Sequence, residues 1–493
     1  MFRHVPLFSV EQARAIDRDA QRALGLSGYG LMQRAGAAAW GELLHRWPGA
    51  QRIGIACGPG NNGGDGYVLA GRARASGREA VVLRLPDGEP RGETAREAHA
   101  GWQAAGGEAL VFDGTLPAVD LWVDALFGIG LARAPEGAAR AIIEAINASG
   151  VDIFALDVPS GVDADSGYVP GTAIRATCTL SFIVDKRGLR TGVALDHVGA
   201  LRVDDLGVPS AVSGMHVPAA RLVRADALPG WLPRRTLDSN KGDFGHVLCV
   251  GGDHGTAGAV ALAAEAALRC GAGLVSVATR ADHVAILLAR RPELMVRAVE
   301  DSGDFETACM RPSVLAVGPG LGTGEWGRAL LAASLKAGKP LVLDADALNL
   351  IAQSPCRLPG AVITPHPGEA GRLLGMSTAQ VQADRFAAAA RLAERYGCCV
   401  ALKGAGTVVA GPDAAPVVVD AGNPGMASGG MGDVLTGVIA ALRAQGLPAF
   451  DAAACGALLH ATAGDAAAAH GGERGLLAAD LFPHLRRLAN PCC

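Results

Sequence analysis

The sequence predicts an α/β fold in two domains, each a mostly parallel sheet covered by helices. Short apolar runs alternate with alanine-rich helical stretches along the chain, the pattern of strand–helix–strand units. The alternation occurs twice, on either side of a turn-rich, weakly patterned stretch at about 207–240 with prolines at 209, 218, 229 and 233. A length of 493 residues, half of them apolar, also exceeds one ordinary core. Domains are therefore expected over 1–215 and 230–490.

The first domain opens with a helix over "EQARAIDRDAQRAL", capped by Ser9. Apolar runs then predict strands at 52–56, 79–85, 121–127, 152–158 and 178–183. In the second domain strands are expected at 246–252, 274–279, 314–320, 340–346, 361–366, 399–404 and 416–420, while "AAAA" at 387–390 and 466–469 reads as helix.

Composition excludes several classes. A formal charge of −4 gives no electrostatic reason to expect nucleic acid or an anionic membrane as partner. No apolar run reaches the roughly 18 residues of a membrane span. The opening "MFRHVPLFSVEQARAIDRDA" lacks the apolar core and cleavage site of a signal peptide, so a cytoplasmic enzyme is expected. The eleven cysteines are scattered apart from two adjacent pairs, with no C-x-x-C and no histidine cluster for zinc. Lysine is used only at Lys186, Lys241, Lys336, Lys339 and Lys403, which singles out each one that falls in a motif.

The first motif is "CGPGNNGGDGY" (57–67), directly after the strand at 52–56. Gly58, Gly60 and Gly63 fit G-x-G-x-x-G, a weak signal alone. A nicotinamide dehydrogenase would place an acid about 20 positions on to hold the ribose hydroxyls. Here the second strand ends Arg84-Leu85-Pro86, which leaves open only a 2′-phosphate partner. Asn61, Asn62 and Asp65 are polar where a dinucleotide turn packs against the sheet. They point to a site for a cation or polar ligand, with glycine amides free for phosphate. The bland alternative is a Gly/Asn-rich surface turn.

Three more segments end strands in polar residues: "DALFGIGLARA" (124–134), "LDVPSGVDADSG" (156–167) and "FIVDKRGL" (182–189) with its F-x-x-x-K spacing. Ligands bind at such strand ends in open α/β sheets. With the glycine loop, these segments resemble the NAD(P)H-hydrate epimerase family over about 1–215. The resemblance implies a Rossmann-like domain that interconverts the R and S hydrates of NADH and NADPH. It implies a hydrate site of Asn61, Asn62, Gly63, Gly64, Asp65, Gly128, Ile129, Gly130, Leu131, Ala132, Arg133, Ala134 and Asp157. A potassium ion would be held by Asn62, Asp124 and Ser160. Arg34, in "GLMQRAG", departs from the family's pattern. Epimerisation needs the hydroxyl beside the ring nitrogen to leave and water to return on either face. Asp157 is expected to protonate the one and deprotonate the other; the plain alternative is a helix cap or an acceptor in the Pro159 turn.

In the second half, "NPGMASGGMGDVLTGVIAAL" (423–442) carries the clearest chemistry. Mostly small residues from Ala427 to Gly432 run into an apolar helix starting near Asp433, which leaves backbone amides free as an anion hole. Asp433 at its mouth can take a proton from an alcohol while the hole stabilises a transferring phosphoryl group, unless it is merely an exposed N-cap. The G-x-G-D pattern resembles the ribokinase-like fold. The stretch 241–279, "GPGLG" (318–322), "LDADALN" (343–349), "TPHPGEAGRLLG" (364–375) and "LKGAGTVV" (402–409) narrow this. Together they resemble the ADP/ATP-dependent NAD(P)H-hydrate dehydratase family across about 236–490.

That resemblance implies that Ala259, Gly320 or Gly322, His366 and Asp433 contact the hydrate. Lys403, Gly404, Ala405, Gly406, Thr407 and Gly432 would hold ADP or ATP, with a magnesium ion bridging the phosphates. The reaction would phosphorylate the C6 hydroxyl of the S hydrate with Asp433 as base, then lose phosphate and a C5 proton. His366, between two prolines, could equally make a structural bond only. The combined resemblance is to the bifunctional hydrate-repair family: a Rossmann-like epimerase domain followed by a ribokinase-like dehydratase domain, with small-molecule partners and a homo-oligomeric assembly. Two rivals stay open, a vitamin or sugar kinase fused to a dinucleotide-binding domain and a non-catalytic dinucleotide scaffold in the first half.

Overall fold

A computed structural model describes residues 4–130 and 133–490. Leu131 and Ala132, both expected in the hydrate site, lie outside the described residues. The chain divides into two compact units, Pro6–Ala220 and a second running from Arg221 onward, to which Val5 also belongs.

In the first unit a seven-stranded parallel sheet runs in the order Ala109–Val111, Glu79–Arg84, Arg52–Cys57, Leu121–Ala125, Asp152–Leu156, Cys178–Phe182, Ala200–Asp204. The chain starts in the middle at Arg52–Cys57, builds outward, then returns to lay Leu121–Ala125 on the other side. That reversal is the switch point at which open α/β sheets bind ligands. The helix Val10–Leu24 is capped by Ser9, whose side chain accepts from Gln12 N while the Gln12 side chain accepts from Ser9 N.

The second unit repeats the logic. Its sheet runs Ala220–Val223, Ala414–Val419, Val408–Gly411, Cys399–Leu402, Val362–Ile363, Leu341–Leu343, Val314–Val317, His246–Val250, Leu274–Thr279, Met295–Ala298. The pairs around Val408–Gly411 are antiparallel, whereas those from Cys399–Leu402 to Met295–Ala298 are parallel. Here the reversal falls between His246–Val250 and Val314–Val317. The apolar helix Met431–Ala444 crosses the sheet so closely to the helix Ala257–Arg269 that a Cβ on Gly437 would lie 2.0 Å from the Ala263 carbonyl oxygen.

All twelve expected strands are present, most of them shorter than the apolar runs that predicted them. The excess belongs to buried loops: Leu126, for instance, is 1% exposed although the strand ends at Ala125. Among the described residues six further strands are Val5–Leu7, Ala109–Val111, Ala200–Asp204, Ala220–Val223, Met295–Ala298 and Val408–Gly411. Several are half-exposed edge strands without a clear apolar alternation. Ala220–Val223 lies within the stretch read as turn-rich, yet it pairs in parallel with Ala414–Val419 and buries Leu222 and Val223. Four residues are too few for a periodic signal. Among the described residues no helix is long and apolar enough to cross a membrane.

Candidate active sites

The switch point of the first unit opens into a cavity of about 700 Å³. The loops after Arg52–Cys57 and Leu121–Ala125 press together at its floor, since a Cβ on Gly58 would lie 1.7 Å from the Leu126 carbonyl oxygen. The helix Asn61–Ala75 therefore starts inside the site, with Gly60 at its cap and no capping side chain. Asn61, Asn62, Asp65, Gly128, Ile129, Gly130 and Asp157 line the cavity, with Arg14 and Asp17 from the first helix and Lys186. Gly63 and Gly64 lie beneath, one against Gly58 and the other against Met32. Arg133 is exposed and Ala134 packs beside Gly171; neither lines the cavity.

Asp157 has φ +62°, in the left-handed region that few non-glycine residues adopt. Its Oδ1 accepts from Lys186 Nζ at 2.5 Å and from Phe182 N at 3.2 Å. Lys186, 2% exposed, is pinned further by Ser181 Oγ and the Phe182 carbonyl, each at 2.9 Å. The other carboxyl oxygen faces the cavity: a Cβ on Gly128 would lie 3.3 Å from Asp157 Oδ2 and 3.4 Å from the Asn62 side chain. Both polar atoms of the buried Asn62 amide lack a partner, which a buried polar group does not sustain without a ligand or water. Behind them Asp124 accepts from Ser160 Oγ at 2.6 Å and Ser160 N at 2.7 Å, while Ser160 Oγ also accepts from Phe127 N. Burial pushes Asp124 up to about 6 against these hydrogen bonds. Burial, then the nearby Asp157, holds Asp65 well above the usual carboxylate range. Arg34, the departure from the family pattern, points elsewhere and donates to the Leu206 carbonyl at 2.9 Å.

In the second unit the loops at the carboxyl ends of the central strands converge in the same way. Thr256 Oγ1 donates to the Gly320 carbonyl at 2.8 Å, and Gly322 N donates to Asp346 Oδ2 at 2.9 Å. Ala259 stands in the first turn of the helix Ala257–Arg269. The helix Met431–Ala444 starts at Gly430 with no capping side chain, so its first-turn amides stay available. A Cβ on Gly432 would lie 3.2 Å from Lys403 Nζ and 3.3 Å from Asp344 Oδ2, which joins this helix start to a charged cluster. Lys403 Nζ is 2.6 Å from Asp344 Oδ1 and 3.7 Å from Glu369 Oε2, and Thr436 Oγ1 donates to Asp344 Oδ2 at 3.0 Å. Burial, then Asp344, pushes Asp433 up to about 7 against the pull of Lys403. Burial opposes the charge on Lys403, but Asp344 and Glu369 outweigh it and raise the ammonium. Burial raises Glu369 as well.

The remaining expected residues fall around this cluster. Thr407 Oγ1 donates to the Gly404 carbonyl at 3.1 Å and closes the Lys403, Gly404, Ala405, Gly406, Thr407 loop. His366 caps the helix Pro367–Leu374, its Nδ1 accepting from Gly368 N at 3.0 Å and its Nε2 3.5 Å from Glu369 Oε1. Half the ring remains exposed, and burial followed by Lys403 lowers its protonation. Sequence reasoning assigned no role to Lys186, Asp344, Glu369 or Thr436, although all but Thr436 stand in quoted strand-end motifs. Among the described residues no group of three or more His, Cys, Asp or Glu is arranged to hold a metal by itself.

A switch-point cavity with a buried acid–lysine pair in one unit, and an uncapped helix start beside a lysine–carboxylate cluster in the other, define a two-site enzyme whose second half is ribokinase-like. That half is similar to a solved ribokinase-like superfamily protein of Enterococcus faecalis, at 30% identity and TM-score 0.52 over 56% of this chain and 97% of that one. Residues 247–487 match the family described as NAD(P)H-hydrate dehydratase, and residues 28–188 the YjeF-related protein N-terminus. The bifunctional NAD(P)H-hydrate repair enzyme Nnr of Coxiella burnetii is 46% identical over 98% of this chain and 99% of its own. The enzyme of the same name from Escherichia coli K12 is 47% identical over 98% and 93%. The chain belongs to the bifunctional NAD(P)H-hydrate repair enzymes. Epimerisation of the hydrates and their dehydration back to NAD(P)H are therefore its two activities.

Proposed function

We propose that the two reactions are divided between the two sites, with Asp157 serving epimerisation and Asp433 serving dehydration. The observation that carries the division is the placement of Asp433 at the uncapped start of Met431–Ala444, against Lys403 and Asp344. A carboxyl held near neutrality can take the proton of an alcohol at working pH. The C6 hydroxyl of the S hydrate would lose its proton to Asp433 as its oxygen accepts the terminal phosphoryl group of ADP or ATP. The amides at the helix start stabilise the charge of the transferring group. Cleavage of the C6–O bond then releases phosphate, loss of a C5 proton supplies the electron pair of the double bond, and NAD(P)H is restored. Lys403, Gly404, Ala405, Gly406, Thr407 and Gly432 would hold the nucleotide. Asp344 and Glu369 are oxygen donors of the kind magnesium takes; the ion, when bound, neutralises phosphate charge.

In the first site, Asp157 Oδ2 faces the cavity while Lys186 holds Oδ1. The carboxyl would give its proton to the departing hydroxyl and recover one from the water that adds to the other face. The unpartnered Asn62 amide oxygen fits potassium, with Asp124 and Ser160 as the other oxygen donors. Asn62→Ala is expected to lower the epimerisation rate and its potassium response by at least about 10-fold. Chromatography of the R and S hydrates with and without the cation measures it, and an unchanged response removes the assignment.

The reading as a whole is tested by incubating the chain with NADH hydrate, magnesium and ADP or ATP. The absorbance of reduced nicotinamide should return, and failure to do so refutes the reading. Because a base works deprotonated and Asp433 sits at about 7, kcat/KM for dehydration should fall about tenfold per pH unit below 7 and level off above. Lys403 lowers Asp433, so Lys403→Met should move the midpoint of this profile upward.

A further inference from the structure

The loop 403–407 joins two antiparallel strands and contains Gly404, Ala405 and Gly406, a composition that leaves the backbone many conformations. Its geometry is fixed from behind by a residue that carries no role so far. Arg385, 1% exposed, is the first residue of the helix Arg385–Tyr396. Its Nη2 donates to the Leu402 carbonyl at 3.1 Å, and both Nη1 and Nη2 reach the Lys403 carbonyl at 3.3 Å. Nη1 also donates to Gln382 Oε1 at 2.9 Å. Gly404 lies against the guanidinium at φ +135°, where a Cβ would come within 2.7 Å of Nη1. Burying a guanidinium is costly, and an apolar side chain of similar volume would fill such a place at less cost. What an apolar side chain could not do is hold two successive carbonyls with charge-assisted hydrogen bonds.

We infer that Arg385 is a positioning residue for the nucleotide: by fixing the Leu402 and Lys403 carbonyls it sets the Lys403 ammonium and the 404–407 loop for the phosphates of an adenine nucleotide. This rests on the reading of that loop as the nucleotide site. With both carbonyls turned to the guanidinium, Lys403 N is tied to the Pro365 carbonyl at 2.9 Å, and its side chain is left to reach Asp344. Burial lowers the guanidinium to about 10, so it stays cationic at neutral pH and adds a fixed positive charge under the loop.

The test is steady-state dehydration by the full chain, varying ADP and S hydrate separately. In the parent, a rate independent of nucleotide would overturn the nucleotide reading, and this inference with it, before any variant is made. With nucleotide dependence established, Arg385→Met should raise KM and Kd for ADP about 10-fold or more while KM for the hydrate stays within about twofold. Arg385→Lys, which keeps the charge but not the fork, should recover part of the loss. Gln382 is exposed, so Gln382→Ala should fold and show the same split at about threefold. If Arg385 variants fail to fold, the Gln382 variant decides. Unchanged ADP affinity in a folded variant, or equal losses for both substrates, overturns the inference.

Discussion

Asp433→Asn is expected to reduce dehydration by about 100- to 10,000-fold, the usual effect of removing a general base. The amide keeps the size and polarity of the side chain and retains the helix start, so the loss is chemical. It also removes a carboxyl whose pKa burial, and then Asp344, already push up to about 7, which relieves the cost of a buried charge beside a like charge and should leave the fold intact. Epimerisation, followed by chromatography of the two hydrates without nucleotide, should continue at nearly the parent rate. Loss of epimerisation in a folded Asp433→Asn protein would refute the division into two sites.

Asp157→Asn should do the reverse, slowing epimerisation by about 100- to 10,000-fold. Asparagine tolerates the left-handed backbone that this position requires. Lys186 would lose its counter-charge but keep Ser181 and the Phe182 carbonyl. Pure S hydrate should still be repaired with ADP, whereas R hydrate should disappear only as fast as it epimerises spontaneously. Normal consumption of R hydrate by this variant would remove Asp157 from the mechanism.

The strand-end motifs were legible because ligand loops in parallel sheets need glycine, asparagine and aspartate where a structural turn would need fewer polar side chains. Asn62, Asp157 and Asp433 stood out on that ground, and the structure sets each at a switch point or helix start. The charge partners were not legible. Lys186 and Asp157 are 29 positions apart and Lys403 and Asp344 are 59 apart, and residue spacing carries no information about such pairings. The scarcity of lysine marked both lysines without saying what they meet. His366 shows the opposite limit: its position between prolines left a structural bond open, and that capping bond is present beside Glu369. Edge strands escaped notice because a half-exposed strand of three to five residues lacks the apolar alternation that reveals a buried one.

The strand Ala220–Val223 bears on how the two halves can be cut, tagged or exchanged. A gene dissected at the proline-rich segment, with the dehydratase begun at 230, would deliver a protein missing a strand of its sheet. Ala414–Val419 would then present bare amides and carbonyls together with Val417, Val418 and Val419, a template for aggregation. Insolubility of that piece would be mistaken for dependence of one catalyst on the other, when it reports only a misplaced scissor. Chimeras that swap one half for a relative's must therefore carry Ala220–Val223 with the second.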